Sequence, residues 1–407
     1  MKAVLAVSLC AALALANDPF TDGKRLIRFS DTESKWLTPD QVEDLVFREI
    51  GFVDDTTGYW TELGQLKAVR QALRVVDKPF PTKASFASVV GAVKGKIQTS
   101  DLKASLTEFV TKFANRYYSS AEGKQSCGWI YDQVNALAST SSRTDVKLTV
   151  RKFQHSWGQY SVIARVEPTT SRASSSDIVI ASAHQDSINR RDLKKAPGAD
   201  DDGSGTVTIL QSLKYLLSSR EWQPTRPVEF HWYSGEEVGL KGSVEVAREY
   251  ASKRVEVYAQ MQQDMTGWVA PGTQPVVSFM DDNTNPELTT FLEKLVKAYL
   301  SIPATHGKCG YGCSDHASWT KAGYRASMPF ETNFDDLNPN IHSVRDSLDT
   351  IDYNHMAEFT KLTVSYVVEL TQRASTSPTD TPTDEPTSEP TQEPTDEPTD
   401  EPTDDWE

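Results

Sequence analysis

The stretch "DIVIASAH", residues 177–184, is an apolar run that ends in an imidazole. It is too short for a buried helix, and its unbroken Ile, Val and Ala fit a strand covered on both faces. Soon after comes "PGADDDGSG" (197–205), which crowds Asp200, Asp201 and Asp202 between glycines. It leads into "GTVTILQSLKYLLSS" (205–219), where Val207, Leu210, Leu213 and Leu217 recur at helical spacing. A strand, an acidic turn and a helix in that order form the unit of a parallel sheet.

The same alternation continues on the C-terminal side. "PVEFHWYSGEE" (227–237) reads as a strand and its loop, and "LKGSVEVAREYASK" (240–253) as a helix. "VEVYAQMQQDM" (255–265) and "PVVSFMDD" (275–282) read as strands. "PELTTFLEKLVKAYL" (286–300) and the segment 353–373 read as helices. The expected fold class is α/β: one globular domain with a mostly parallel mixed sheet flanked by helices in three layers.

Toward the N-terminus the character changes. "MKAVLAVSLCAALALAND" has a lysine, an apolar run and small residues at its end, so residues 1–16 read as a secretory signal, too short to span a bilayer. Residues 17–80 carry no cluster of catalytic groups, and Thr38 before Pro39 marks a helix start. This segment reads as a propeptide or as an ordinary subdomain. The catalytic domain is expected over residues 81–373. The remainder, 374–407, repeats Pro-Thr-Asp/Glu units that cannot bury apolar surface, so an extended, disordered tail is expected there.

Composition narrows the function classes. The 407 residues are 38% hydrophobic, enough for a sizeable core, and the net charge of -15 argues against nucleic acid as a partner. The tail holds most of that excess. No later stretch is apolar enough to cross a membrane. An exported chain permits disulfides, and Cys309 with Cys313 in "CGYGC" can close a tight loop. Cys127 then has no obvious partner and is expected to be a buried free thiol.

The polar residues at strand ends suggest the chemistry. His184 and Asp186, Glu236 and Glu237, and Asp264 each follow a predicted strand, and His342 lies in a late loop. In an open parallel sheet, sites form at the carboxyl ends of the strands. Several acids and two imidazoles on one rim need positive charge between them. Two histidines favour zinc over calcium, which prefers an all-oxygen shell.

At this point the chain resembles the secreted leucine aminopeptidases of bacteria and fungi that use two co-catalytic zinc ions. The resemblance is carried in order by "HQDS", "PGADDDGSG", "SGEEVGLKGS", "QQDMTGW", "CGYGCSDHASWTKAGY", "MPFE" and "NPNIHS", and it covers about residues 85–372. It implies that His184 and Asp264 hold one zinc, that Glu237 and His342 hold the other, and that Asp201 bridges both. It implies that Asp200 and Asp202 face away into the loop, that Asp186 orients the His184 ring, and that Glu236 is the general base. It places Met265, Tyr311, Phe330 and Phe334 around the substrate pocket, whose apolar lining implies preference for Leu, Phe or Met. His231, His306, His316 and His355 stay outside the metal set.

The expected protein is therefore a secreted, monomeric metallo-aminopeptidase acting on peptides, with its own propeptide as an inhibitor. The main alternative is a single-zinc acyltransferase of the glutaminyl-cyclase type, which the presence of all five ligand positions disfavours. A serine hydrolase lacks its Gly-x-Ser-x-Gly elbow here. A binding ectodomain without chemistry would have no reason to keep Glu236 and every ligand.

Overall fold

The computed structural model describes residues 23–372, apart from 49, 74–76 and 170–172. The expected signal at 1–16 and the expected tail at 374–407 lie outside the described residues. The N-terminal segment contains β1 (Arg25–Arg28), β2 (Ser34–Leu37), α1 (Pro39–Phe47), β3 (Val53–Asp54) and α2 (Tyr59–Ala72). Next come α3 (Ala87–Lys94), α4 (Thr99–Lys112), α5 (Ala121–Thr140), β4 (Val146–Phe153), β5 (Ser161–Pro168) and β6 (Ile178–His184). They are followed by α6 (Gly203–Leu217), β7 (Val228–Tyr233), α7 (Lys241–Ser252), β8 (Val257–Gln262), β9 (Val277–Met280) and α8 (Pro286–Tyr299). The last elements are β10 (Ala304–Gly307), α9 (His316–Lys321), β11 (Ala326–Ser327), β12 (Pro329–Phe330) and α10 (Tyr353–Thr371).

The central sheet has the order β11-β8-β6-β7-β5-β4. The pairs β6/β7, β6/β8 and β8/β11 are parallel, whereas β4/β5 and β5/β7 are antiparallel. Every residue of β6 is buried, as its unbroken apolar run requires. Alternate side chains divide between two cores. Val179, Ala181 and Ala183 join the larger core with residues of α6, α8 and α10. Ile178 and Ile180 join a second core with Val244, Trp319 and the N-terminal residues Trp60 and Leu63. The sheet is thus covered on both faces, and α2 supplies part of one cover.

Two features differ from the sequence reading. The antiparallel pair β4–β5 extends the sheet beyond the alternating βα units. Strand β4 lies at the edge, and its side chains alternate in exposure, a weaker signal than a buried run. Strand β9 does not join the central sheet. It forms a small sheet of order β10-β9-β12, which positions the Cys309–Cys313 loop and Phe330. Helix α1 begins as expected: Thr38 Oγ1 accepts the N–H of Gln41, the Gln41 side chain accepts that of Thr38, and Pro39 opens the helix.

Candidate active site

Three parallel strands deliver the polar residues to one end of the sheet. His184 is the last residue of β6, Glu236 and Glu237 follow β7, and Asp264 follows β8. The acidic turn closes between β6 and α6. Asp202 caps α6 by accepting the N–H of Gly205 (2.8 Å), and it also accepts those of Met265 (3.1 Å) and His184 (3.1 Å). Gly205 has no room for a side chain, since a Cβ there would lie 2.3 Å from Gln263 O. The buried Arg116 guanidinium fastens the other side of the turn, donating to Gln185 O (2.9 Å) and Gly198 O (2.7 Å).

Asp201 stands between the two histidines. Its Oδ1 is 3.1 Å from His184 Nε2, and its Oδ2 is 2.8 Å from His342 Nε2. Asp264 Oδ1 lies 3.5 Å from His184 Nε2, and Glu237 Oε2 lies 3.0 Å from His342 Nε2. All five expected ligand positions therefore meet in one crevice. Among the described residues, two sets could hold a cation: His184 with Asp202 and Asp264, and Asp201 with Glu237 and His342. The first set thus includes Asp202, expected to face away, whose oxygens also accept backbone N–H groups, while Asp201 lies within reach of both histidines. His231, His306, His316 and His355 belong to neither.

The electrostatics show what the crevice asks for. Burial disfavours a charged His184 ring, but the Asp264 charge and the contacts to Asp186 and Asp201 outweigh it and hold its pKa well above the imidazole value. His342 is likewise opposed by burial, yet Glu237 and Asp201 push it up to about 10. Burial raises Glu236 well above the usual carboxylate range and raises Glu237 as well. Glu237 Oε1 is buried without a hydrogen-bond partner. An orphaned carboxylate oxygen among buried acids that hold two imidazoles protonated is a donor set suited to divalent zinc, which displaces such protons when it binds.

Asp186 does more than the sequence indicates. Its backbone O faces His184 Nδ1 at 3.2 Å, and its Oδ1 is 3.6 Å from the same nitrogen. The carboxylate also accepts the N–H groups of Glu236 (3.1 Å) and Glu237 (3.3 Å). One acid thus fixes both the imidazole and the Glu-Glu turn.

Beside the crevice lies an apolar pocket. Met265, Tyr311, Phe330 and Phe334 all line the cavity that also exposes Asp201, Glu236, Glu237 and His342. Met265 and Phe330 are buried, and Phe330 packs on Phe334 with ring centroids 5.9 Å apart. The Cys309–Cys313 disulfide is formed, and Cys127 is a buried free thiol whose pKa burial pushes up to about 11. Sequence reasoning missed Met328, Leu337 and Ile341 in this lining. It also missed Asp346, whose partners are backbone groups and leave no sequence mark.

The N-terminal segment reaches the same cavity, which no motif foretold. Val46, Ile50, Gly51 and Phe52 line it from the outside. Gly51 lies so close to the Tyr311 ring that a Cβ would come within 2.2 Å of it. Asp54 N–H donates to Gly239 O (3.2 Å), and Arg25 donates to Val238 O (2.9 Å), directly beside the Glu-Glu turn.

Comparison with known proteins bears on the family and the fold. Residues 161–367 match Peptidase family M28, and residues 369–404 match a repeat described as "PT disordered repeat". The chain is similar to leucine aminopeptidase 1 of Aspergillus fumigatus, 36% identical over 398 residues that cover 91% of this chain and 99% of that protein. Its fold resembles the Legionella pneumophila LapA aminopeptidase, with TM-score 0.73, 26% identity and coverage of 86% of this chain and 99% of that one. Porphyromonas gingivalis glutaminyl cyclase has the same fold at TM-score 0.54 and 17% identity, covering 67% of this chain and 98% of its own. Fold alone therefore does not separate the two chemistries. A family match over half of the chain, together with a relative 36% identical across 91% of it, shows that the chain belongs to peptidase family M28.

Proposed function

We propose that this chain is a secreted metallo-aminopeptidase that removes N-terminal residues from peptides, preferring Leu or another large apolar residue, with two zinc ions and Glu236 as general base. One observation carries the reading: Asp201 offers one oxygen toward His184 and the other toward His342.

His184 and Asp264 would hold one ion, Glu237 and His342 the other, and Asp201 both. When bound, the ions would polarise the scissile carbonyl and acidify the attacking water. The chain's own residues do the rest. Glu236 accepts the proton of that water and passes it to the departing amine. Its neighbour Glu237 remains a ligand, and Asp186 holds the backbone N–H groups of both residues. The apolar pocket of Met265, Phe330 and Phe334 takes the side chain of the substrate's first residue.

In this reading residues 1–16 direct export, residues 17–80 are a propeptide, and 81–373 form the catalytic domain. The propeptide inhibits by covering the cavity mouth with Ile50, Gly51 and Phe52. Metal analysis paired with a panel of aminoacyl-anilides tests the proposal. Two zinc ions per chain and fastest release from Leu-anilide are expected. One ion per chain, or faster release from Lys- or Glu-anilide, would reject it. Limited proteolysis that removes the N-terminal segment should raise the rate, and equal rates before and after would reject inhibition.

A further inference from the structure

Asp346 takes no part in the mechanism above, yet it is 1% exposed and lies in the loop that carries His342. Its Oδ1 accepts the N–H of Asp200 at 2.8 Å, and its Oδ2 accepts the N–H of Asp201 at 3.1 Å. Its backbone O accepts the N–H of Ala199 at 3.2 Å. Three consecutive N–H groups of the acidic turn thus converge on one residue of the His342 loop. Arg116 grips the carbonyl side of the same turn at Gly198.

A carboxylate bonded through both oxygens to adjacent peptides fixes the orientation of that backbone. Beyond it, the Asp201 side chain has only two torsions with which to place its oxygens. The reach of those oxygens toward His184 and His342 therefore depends on where Asp346 holds the main chain. Because Asp346 and His342 share a loop, the same contact also sets the spacing between the two halves of the crevice. We infer that Asp346 is a positioning residue: it sets the bridging posture of Asp201 and so makes one crevice accept two ions at once. The inference rests on the two-ion reading of the site.

The substitution Asp346→Asn tests it in the full-length chain. Asparagine keeps the volume but replaces one acceptor with a donor that faces a peptide N–H. Zinc would be titrated into metal-stripped protein against a chelating dye, and cobalt uptake would be followed by its d–d absorption. The wild type should take two ions. D346N should keep the first and bind the second about 10- to 100-fold more weakly, with kcat down by a similar factor and KM little changed. Its cobalt spectrum should change only at the second equivalent. Should D346N fail to fold, Asp346→Glu, which keeps both acceptors but displaces them by a methylene, provides the same readouts with the same expected direction. Wild-type affinity for both ions with an unchanged cobalt spectrum would overturn the inference while leaving the two-ion reading intact. A wild-type chain that takes up fewer than two ions would overturn both.

Discussion

The crevice and the N-terminal segment are both built around buried acids, but they are fastened differently. In the crevice, Asp186, Asp202 and Asp346 accept backbone N–H groups from sequence-distant loops, and Arg116 is fully buried. The N-terminal segment is attached across its boundary by two exposed ion pairs, Glu62 with Arg248 at 2.6 Å and Asp31 with Lys321, and by the pair of the buried Asp54 with Lys241 at 3.1 Å. Exposed pairs of this kind contribute roughly 0–1 kcal/mol each. Trp60 and Leu63 add apolar contact to the second core. Under the proposed propeptide reading, the difference bears on which part stays and which leaves. The N-terminal segment also makes hydrogen bonds to backbone oxygens of the Glu-Glu loop, at Gly239 and Val238, so in that reading its release must break these together with the ion pairs and the apolar contact of Val53, Trp60 and Leu63.

The largest test of that contrast is Glu236→Gln. It should lower turnover about 10²- to 10⁴-fold, the usual range for a lost general base. Metal content should not change, because Glu236 is not among the proposed ligands. A near-normal rate at normal metal content would remove Glu236 from the mechanism.

Phe330→Ala probes the apolar side of the cavity. Comparing kcat/KM for Leu-anilide and Ala-anilide should show the Leu preference falling by roughly 10- to 200-fold, the range of one hydrophobic subsite. An unchanged ratio would assign the pocket elsewhere.

Gly51→Ala acts where the N-terminal segment meets the pocket residue Tyr311. The added methyl meets the Tyr311 ring at 2.2 Å, and overpacking of this kind costs roughly 1–3 kcal/mol. The uncut protein should therefore become about tenfold more active or better, while the trimmed enzyme, which lacks residue 51, serves as the reference. An uncut G51A protein no faster than the uncut wild type would mean that this contact does not seal the mouth.

Lys241→Ala and acid should give the smallest effects. Burial tends to raise Asp54, but Arg25 and Lys241 outweigh it and lower its pKa below the ordinary 3.8. Its contribution to docking is thus complete above that ordinary value and is lost as pH falls through the lowered one. K241A removes one partner of the buried Asp54 and leaves Arg25 as the other, so it should weaken docking, read as faster trimming by a fixed dose of protease. Acidification below about pH 4 should speed trimming of the wild type in the same direction, and K241A should blunt that response. A trimming rate flat across this range would show that the charge at Asp54 does not hold the segment.

Much of this molecule was legible as a string of residues. An unbroken apolar run marked β6, helical spacing marked α6, and Thr38 with Pro39 marked the start of α1. The imidazoles and acids at strand ends pointed to a cation site at that end of the sheet, and the family resemblance named the five residues expected to meet there. These signals are local, because side-chain type and short-range periodicity decide them. Tertiary structure alone decided the rest. The antiparallel β4–β5 edge, the separate sheet of β9, the Asp346 clamp and the seat of Gly51 against Tyr311 depend on which distant backbone groups come together. Every residue other than proline carries the same peptide N–H, so a carboxylate that binds such groups from afar has nothing in the sequence to announce its partner.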